Sequence, residues 1–327
     1  MRRTRRDAIK NIGAAATAFA FSGVGARSAI FPDRAVRIVV PATPAGALDL
    51  IARVLAQKLS EVFKQQVYVE NKPGANWIIG MDAVAKSQPD GHTLLVVSGS
   101  GLSINPLALQ NLPFDPFRDF TPITTLTKGA FVLVTNLDLP AGTIPEFIAY
   151  LKANPGKANH GSNSSSTILL SELFKSQTGT EFVDINYRGS AQAINDMISG
   201  AIQFCFVDYG SAVAALKGGL IRALAVTTRE RYSLAPDIAP LAEQGLPNYA
   251  VDGGTVLLGP AKLPGDVLTT LNRAVEVALK SPEVSGRFPE FGSIAIGGPP
   301  EATAENLKRD TEMWRTLIKE RNIHFEQ

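Results

Sequence analysis

The sequence is nearly without cysteine. Cys205 is the single one, which excludes an intrachain disulfide and any thiolate metal cluster. Histidine is scarce too: His92, His160 and His324 are the only three in 327 residues. No two of them sit at a ligand spacing, so neither a metal nor a cofactor is expected. Charge of one sign is also lacking, since 32 Lys and Arg stand against 30 Asp and Glu. Without a basic excess for phosphates, nucleic acid is not an expected partner. No apolar run reaches the roughly 20 residues of a membrane-spanning helix. The chain has no G-x-S-x-G elbow, P-loop, H-E-x-x-H or EF-hand pattern. What is present is 45% hydrophobic residues and a mean hydropathy of +0.07, the composition of a packed globular protein. Its length suits two domains at roughly 100–200 residues each.

Residues 1–26 read as an export signal. Arg2, Arg3, Arg5, Arg6 and Lys10 precede an uncharged stretch of small and apolar residues, with Val24 and Ala26 at the −3 and −1 positions of a cleavage site. Thr4–Lys10 resembles a twin-arginine motif, although Ala8 departs from it and leaves the general secretory route open. The expected compartment is the periplasm. Removing five bases and one acid with this segment turns the formal charge from +2 to −2. An anionic ligand would then have to be attracted locally, not by net charge.

The remainder alternates. Short apolar runs at Arg37–Pro41, Val67–Glu70 and Thr93–Val97 predict buried strands, and the spacing of Ile51, Val54, Leu55, Leu59 and Val62 predicts a helix over Leu48–Phe63. Ile78–Lys86 is a second expected helix. The middle repeats the theme, with strands at Phe131–Thr135, Ala158–Gly161, Asp184–Tyr187, Ile202–Val207 and Ile221–Thr227. Helices are expected over 143–154, 164–177, 191–199 and 211–217, and in the tail over 264–280 and 302–321. Strand–helix alternation implies right-handed crossovers and an α/β fold with parallel sheets.

Three loops at strand ends are rich in small and hydroxyl residues. They are Pro41–Asp49, containing Thr43, Ala45, Gly46, Ala47 and Asp49; Ser98–Gly101, containing Ser98 and Ser100; and Gly161–Thr167, containing Ser162, Asn163, Ser164, Ser165, Ser166 and Thr167. In open α/β sheets ligands bind outside the carboxyl ends of strands, where helix N-termini offer N–H groups to an anion. Each loop alone also fits an ordinary helix cap. Asp49 either shapes its loop or accepts from a ligand amine or hydroxyl, and Asp208, after the 202–207 strand, has the same two readings. His92 sits in a turn, and His160 reads as a packed strand residue.

The segments Val39–Asp49, Val69–Gly80, Pro89–Leu95, Phe120–Ile123, Asn154–Ser162, Tyr187–Gly200 and Arg222–Pro247 resemble, in order, the signatures of the tripartite tricarboxylate transporter substrate-binding receptors, the Bug-type proteins. The resemblance implies a type II-like periplasmic binding protein: two doubly wound α/β domains closing on a ligand cleft. It implies domains over 27–128 with 254–327 and over 129–253, a monomer, a small carboxylate as ligand, and the membrane permease subunits as partner. It implies no catalysis. The carboxylate would be gripped by Ala45, Gly46 and Ala47 from one domain and by 162–167 from the other, with Tyr187 in the family's tyrosine–basic–glycine segment. Asn76 and Trp77 replace glycines usual in the family, so Trp77 either lines the pocket or packs on the domain surface. A ligand-sensing receptor for a signalling partner is an alternative reading, and a serine-dependent hydrolase using Ser100 or a Ser of 162–166 is another.

Overall fold

The computed structural model describes residues 31–74, 77–109 and 112–323. The export-signal segment, Asn76 and His324 lie outside the described residues. The elements in chain order are β1 (Val36–Val40), α1 (Ala47–Phe63), β2 (Val67–Asn71), α2 (Ile78–Ala85), β3 (Thr93–Ser98), α3 (Gly99–Ala108) and β4 (Phe120–Thr135). Then come α4 (Ile144–Ala153), β5 (Asn159–Ser162), α5 (Ser165–Thr178), β6 (Val183–Asn186), α6 (Ser190–Ile198), β7 (Phe204–Asp208), α7 (Tyr209–Lys217) and β8 (Arg222–Val226). The chain finishes with β9 (Asp252–Pro260), α8 (Gly265–Lys280), α9 (Pro282–Ser285), β10 (Ser293–Ala295) and α10 (Pro300–Arg321).

The strands form two lobes within one compact unit from Pro32 onward. In lobe 1, β2, β1 and β3 are parallel neighbours, as continuous apolar runs require, and β9 and β4 follow antiparallel. In lobe 2, β6, β5 and β7 are parallel neighbours, and β7 and β8 both pair antiparallel with β4. The sixteen-residue β4 therefore belongs to both sheets: Phe120–Ala130 pairs with β9, and Phe131–Thr135 pairs with β7. From sequence only Phe131–Thr135 is expected as strand. Its first half carries Pro122 and is Thr-rich, so no apolar run marks it; register shifts after Pro122 and Thr125 absorb the irregularity.

Each lobe has its own core. Val39, Met81, Leu95, Val97 and Leu102 pack together in lobe 1, and Phe147, Phe174, Phe204, Phe206 and Tyr249 in lobe 2. Helix α10 enters both. Its stripe Thr303, Leu307, Thr311, Trp314 and Leu317 follows helical spacing. Leu307 packs in the lobe 1 core, whereas Trp314 and Leu317 pack in that of lobe 2. The Thr303 hydroxyl meets Thr125 at 3.0 Å in lobe 1, and Arg321 reaches Glu172 at 3.3 Å in lobe 2. One helix thus straps the two lobes across the strand they share.

Lobe 2 buries a polar knot. His160 is fully enclosed; its Nε2 accepts the Phe206 N–H at 3.2 Å, which places the proton on Nδ1, 2.6 Å from Asp184. Asp184 also accepts from Ser171 and from Lys175 at 2.7 Å. Burial opposes ionisation of Asp184, but the hydrogen bonds from His160 and Lys175 outweigh it and hold its carboxyl at about 2. His160 is therefore a core residue tying β5 to β6 and β7.

Candidate ligand gap between the lobes

Register along β4 sets where the site lies. Ser98, ending β3, pairs with Thr255, which pairs with Thr127 of β4. Asp208, ending β7, pairs with Phe131 of β4. The carboxyl ends of the two parallel sheets thus point at each other across a stretch of β4 only roughly 13 Å long, at about 3.3 Å per residue. All three sequence-nominated loops, and Tyr187 and Asp208, stand at these strand ends.

The first loop is held from beneath. Asp49 is 1% exposed and accepts three hydrogen bonds, from the Ala45 N–H, Arg53 Nε and Asn71 Nδ2, each at 2.9 Å. Burial disfavours its charge, yet these donors, Arg53 first, keep its carboxyl below the ordinary range. Asn71 also donates to Ala42 O, so β2 fixes the loop that follows β1. Ala45 adopts a left-handed φ of 68° inside this clasp. The Ala45 N–H is taken by Asp49, while the N–H groups that open α1 after Gly46 have no side-chain cap. Asp49 has both oxygens occupied by the protein, which gives it the loop-shaping role. Arg53 and Asn71 were not nominated as site residues; the i, i+4 spacing of Asp49 and Arg53 was their readable signal.

Ser98–Gly101 was expected as a loop and is the start of α3. Its Gly-Ser-Gly composition suppresses a helical signal, but the apolar residues Leu102 and Ile104 bury and carry the helix. Ser98 and Ser100 hydroxyls pair at 2.7 Å.

In lobe 2 the hydroxyl-rich loop works largely on itself. Ser162 is fully buried, donating to Asn186 at 2.7 Å and so joining the ends of β5 and β6. Ser164 and Thr167 form a reciprocal capping box, with Thr167 only 1% exposed. Asn163 donates to Ser190 at 2.7 Å. In this structure the hydroxyls of Ser162, Ser164 and Thr167 serve caps and strand ends, because a short hydroxyl side chain reaches its neighbouring backbone readily. Ser165 and Ser166 remain half-exposed. Tyr187 donates to Asp196 at 2.9 Å, and burial together with that bond pushes its hydroxyl up to about 12. It therefore anchors α6 with its hydroxyl.

Four helices start at this gap with no side chain capping them: α1 after Gly46, α3 after Ser98, α6 after Gly189 and α7 after Asp208. Their first-turn N–H groups have no side-chain cap and each helix carries the positive end of its dipole at its start, features suited to an anion. Gly189 and Ser190 were missed from sequence, although the same strand–turn–helix rule applies to them. Asp208 is exposed at the end of β7, and the protein packed around that strand end raises its carboxyl.

A cavity of about 730 Å³ lies beside the shared strands, under α10. Of the nominated residues only Ser100 and Ser166 line it, with Thr127, Lys128, Gly253 and Trp314. A more open hollow between α5, Gly245–Asn248 and α10 lies away from the strand ends. Among the described residues no three His, Cys, Asp or Glu side chains gather as a metal site, and no helix is long and apolar enough to cross a membrane.

Two α/β lobes that share a strand and oppose their carboxyl edges define the class of two-lobed solute-binding receptors. Residues 51–323 match the model of the tripartite tricarboxylate transporter family receptor, and the chain belongs to that family. It is 33% identical over 300 residues to a UPF0065 protein in the tcbD-tcbE intergenic region of Pseudomonas sp. strain P51, covering 91% of this chain and 89% of that one. Protein BugT of Bordetella pertussis is 31% identical over 293 residues, covering 89% and 90%. Among solved structures, R. palustris Rpa4515 with adipate superposes with a TM-score of 0.80 at 29% identity, covering 90% of this chain and all of that one. MatC of Rhodopseudomonas palustris with bound malate superposes at 0.75 and 26% identity, covering 88% and all of it.

Proposed function

We propose that the protein is a periplasmic receptor that takes a small carboxylate into the gap between its lobes, closes on it, and presents it to the membrane permease subunits of a tripartite transporter. The observation that carries this reading is the opposition of uncapped helix starts from both lobes across a span of roughly 13 Å along β4. A carboxylate bridging them would neutralise dipoles of both lobes at once, which gives the closed form a differential affinity for the ligand. The adipate and malate in the related structures support the same chemistry. Lobe 1 comprises 27–128 with most of 254–327, lobe 2 comprises 129–253, and α10 spans the two. Residues 1–26 serve export and are removed, and the mature chain acts as a monomer without catalysis.

The test is calorimetric titration of protein unfolded, dialysed and refolded to remove co-purified ligand. Saturable binding of at least one di-, tri- or monocarboxylate is expected, with weak dependence on ionic strength because the donors are local dipoles. A preparation that binds a neutral sugar and no acid would overturn the reading. Partner capture from membranes separates delivery from signalling, because recovery of a sensor kinase in place of a permease favours the sensing receptor.

A further inference from the structure

Trp77 is held in an unusual way. It opens α2 with φ 75° and ψ −4°, a left-handed backbone that bulky residues rarely adopt. Strain of this kind persists where surrounding structure enforces it, and it clusters at binding sites. The ring is received by a glycine. A Cβ on Gly101 of α3 would collide with the Trp77 ring carbons Cζ3 and Cε3, so the indole lies directly on that glycine. A Cβ on Gly80 would sit 2.7 Å from Pro41, so α2 also presses against the first loop.

Strand order extends the point. In β2-β1-β3 the indole leaves the loop after β2, passes the end of β1 and lands on the first turn of the helix after β3. It thereby packs on the first turn of α3, the turn that carries Ser100, whose hydroxyl pairs with that of Ser98. The ring packs against the lobe 1 core, and Trp77 stays partly exposed. A strained aromatic, a glycine shaped to receive it and a neighbouring uncapped helix start form a single surface, with donors for a carboxylate and an apolar wall beside them.

We propose that Trp77 is a specificity-determining residue whose exposed part selects carboxylates with a flat unsaturated or aromatic body over linear aliphatic acids of equal charge. The inference rests on the carboxylate reading above.

The test compares terephthalate with adipate, both dicarboxylates, by calorimetry on the wild type, Trp77→Gly and Gly101→Ala. Glycine suits the left-handed backbone, so Trp77→Gly is expected to remain folded by circular dichroism. It should weaken terephthalate by roughly three- to tenfold, the range of one aromatic contact, and leave adipate nearly unchanged. Gly101→Ala keeps the indole but displaces it, and should lose the same discrimination. If both acids weaken equally, or neither changes, Trp77 is a packing residue and the inference is overturned while the carboxylate reading stands. If the wild type prefers adipate, the inference is likewise overturned. A wild type that binds no acid overturns the carboxylate reading and this inference with it.

Discussion

Asp49→Asn is the sharpest perturbation of the first loop. The carboxylate receives the Ala45 N–H and Arg53 Nε on one oxygen and Asn71 Nδ2 on the other, at 1% exposure. Asparagine has one acceptor oxygen. If it serves Ala45 and Arg53, its NH2 faces the Asn71 NH2. Asn71 cannot turn over without penalty, because its own Oδ1 already accepts from Arg53 at 2.9 Å. The variant therefore loses one hydrogen bond to a charged acceptor, about 1.5–3 kcal/mol, and weakens the other two by removing the charge. A total loss of about 3 kcal/mol is expected in urea denaturation, as a lower midpoint with an unchanged slope. Because the clasp sets the direction of the Gly46 and Ala47 N–H groups, ligand affinity should fall at least tenfold under conditions where the variant is fully folded. Full affinity in a destabilised Asp49→Asn protein would refute the link between clasp and site. Unchanged stability would refute the clasp itself.

Other expected outcomes follow from the buried knot and the lobe contact. The Asp184 carboxyl sits at about 2 in the fold against 3.8 as its ordinary value, so it contributes stability above the latter that is lost as pH falls through the former. That contribution is about 2 kcal/mol, read as a falling urea midpoint from pH 5 to pH 2, with a shallower fall in Asp184→Asn. At neutral pH the same variant removes one of the two carboxylates that hold Lys175, which is 8% exposed and keeps Glu172 at 2.8 Å, and should cost about 2 kcal/mol in urea denaturation. Gly292 has φ 69° and packs against Gly210 of α7, where a Cβ would overlap the partner backbone. Gly292→Ala should therefore hold α7 away from lobe 1 and weaken ligand binding, measured as affinity at constant fold; tighter binding would argue that this contact opposes closure.

The alternation of apolar strands and amphipathic helices was legible because each unit is specified locally. Val36–Val40, Thr93–Ser98 and Phe204–Asp208 are apolar runs buried on both faces. The elements that unite the lobes were not legible. The first half of β4 and the whole of β9 are held by each other, and Gly254, at φ 158°, lets the strands meet where a Cβ would strike Thr127 O. Such pairing between residues about 128 apart leaves no periodic trace in either segment. The site was half legible. Loop composition located the strand ends correctly, but composition cannot say whether a serine faces a ligand or its own helix, and Ser162 and Thr167 face inward. The double membership of α10 follows from where Leu307 and Trp314 fall along one stripe relative to two cores, which only the tertiary structure defines.

A crystal structure of the protein with its carboxylate bound tests the central claim most directly. The account predicts carboxylate oxygens within hydrogen-bond distance of the Gly46–Leu48 N–H groups on one side and of a lobe 2 helix start, at Gly189–Ala191 or Asp208–Gly210, on the other. A ligand held in the cavity under α10, or gripped by a lysine or arginine with the helix starts left to solvent, would contradict it.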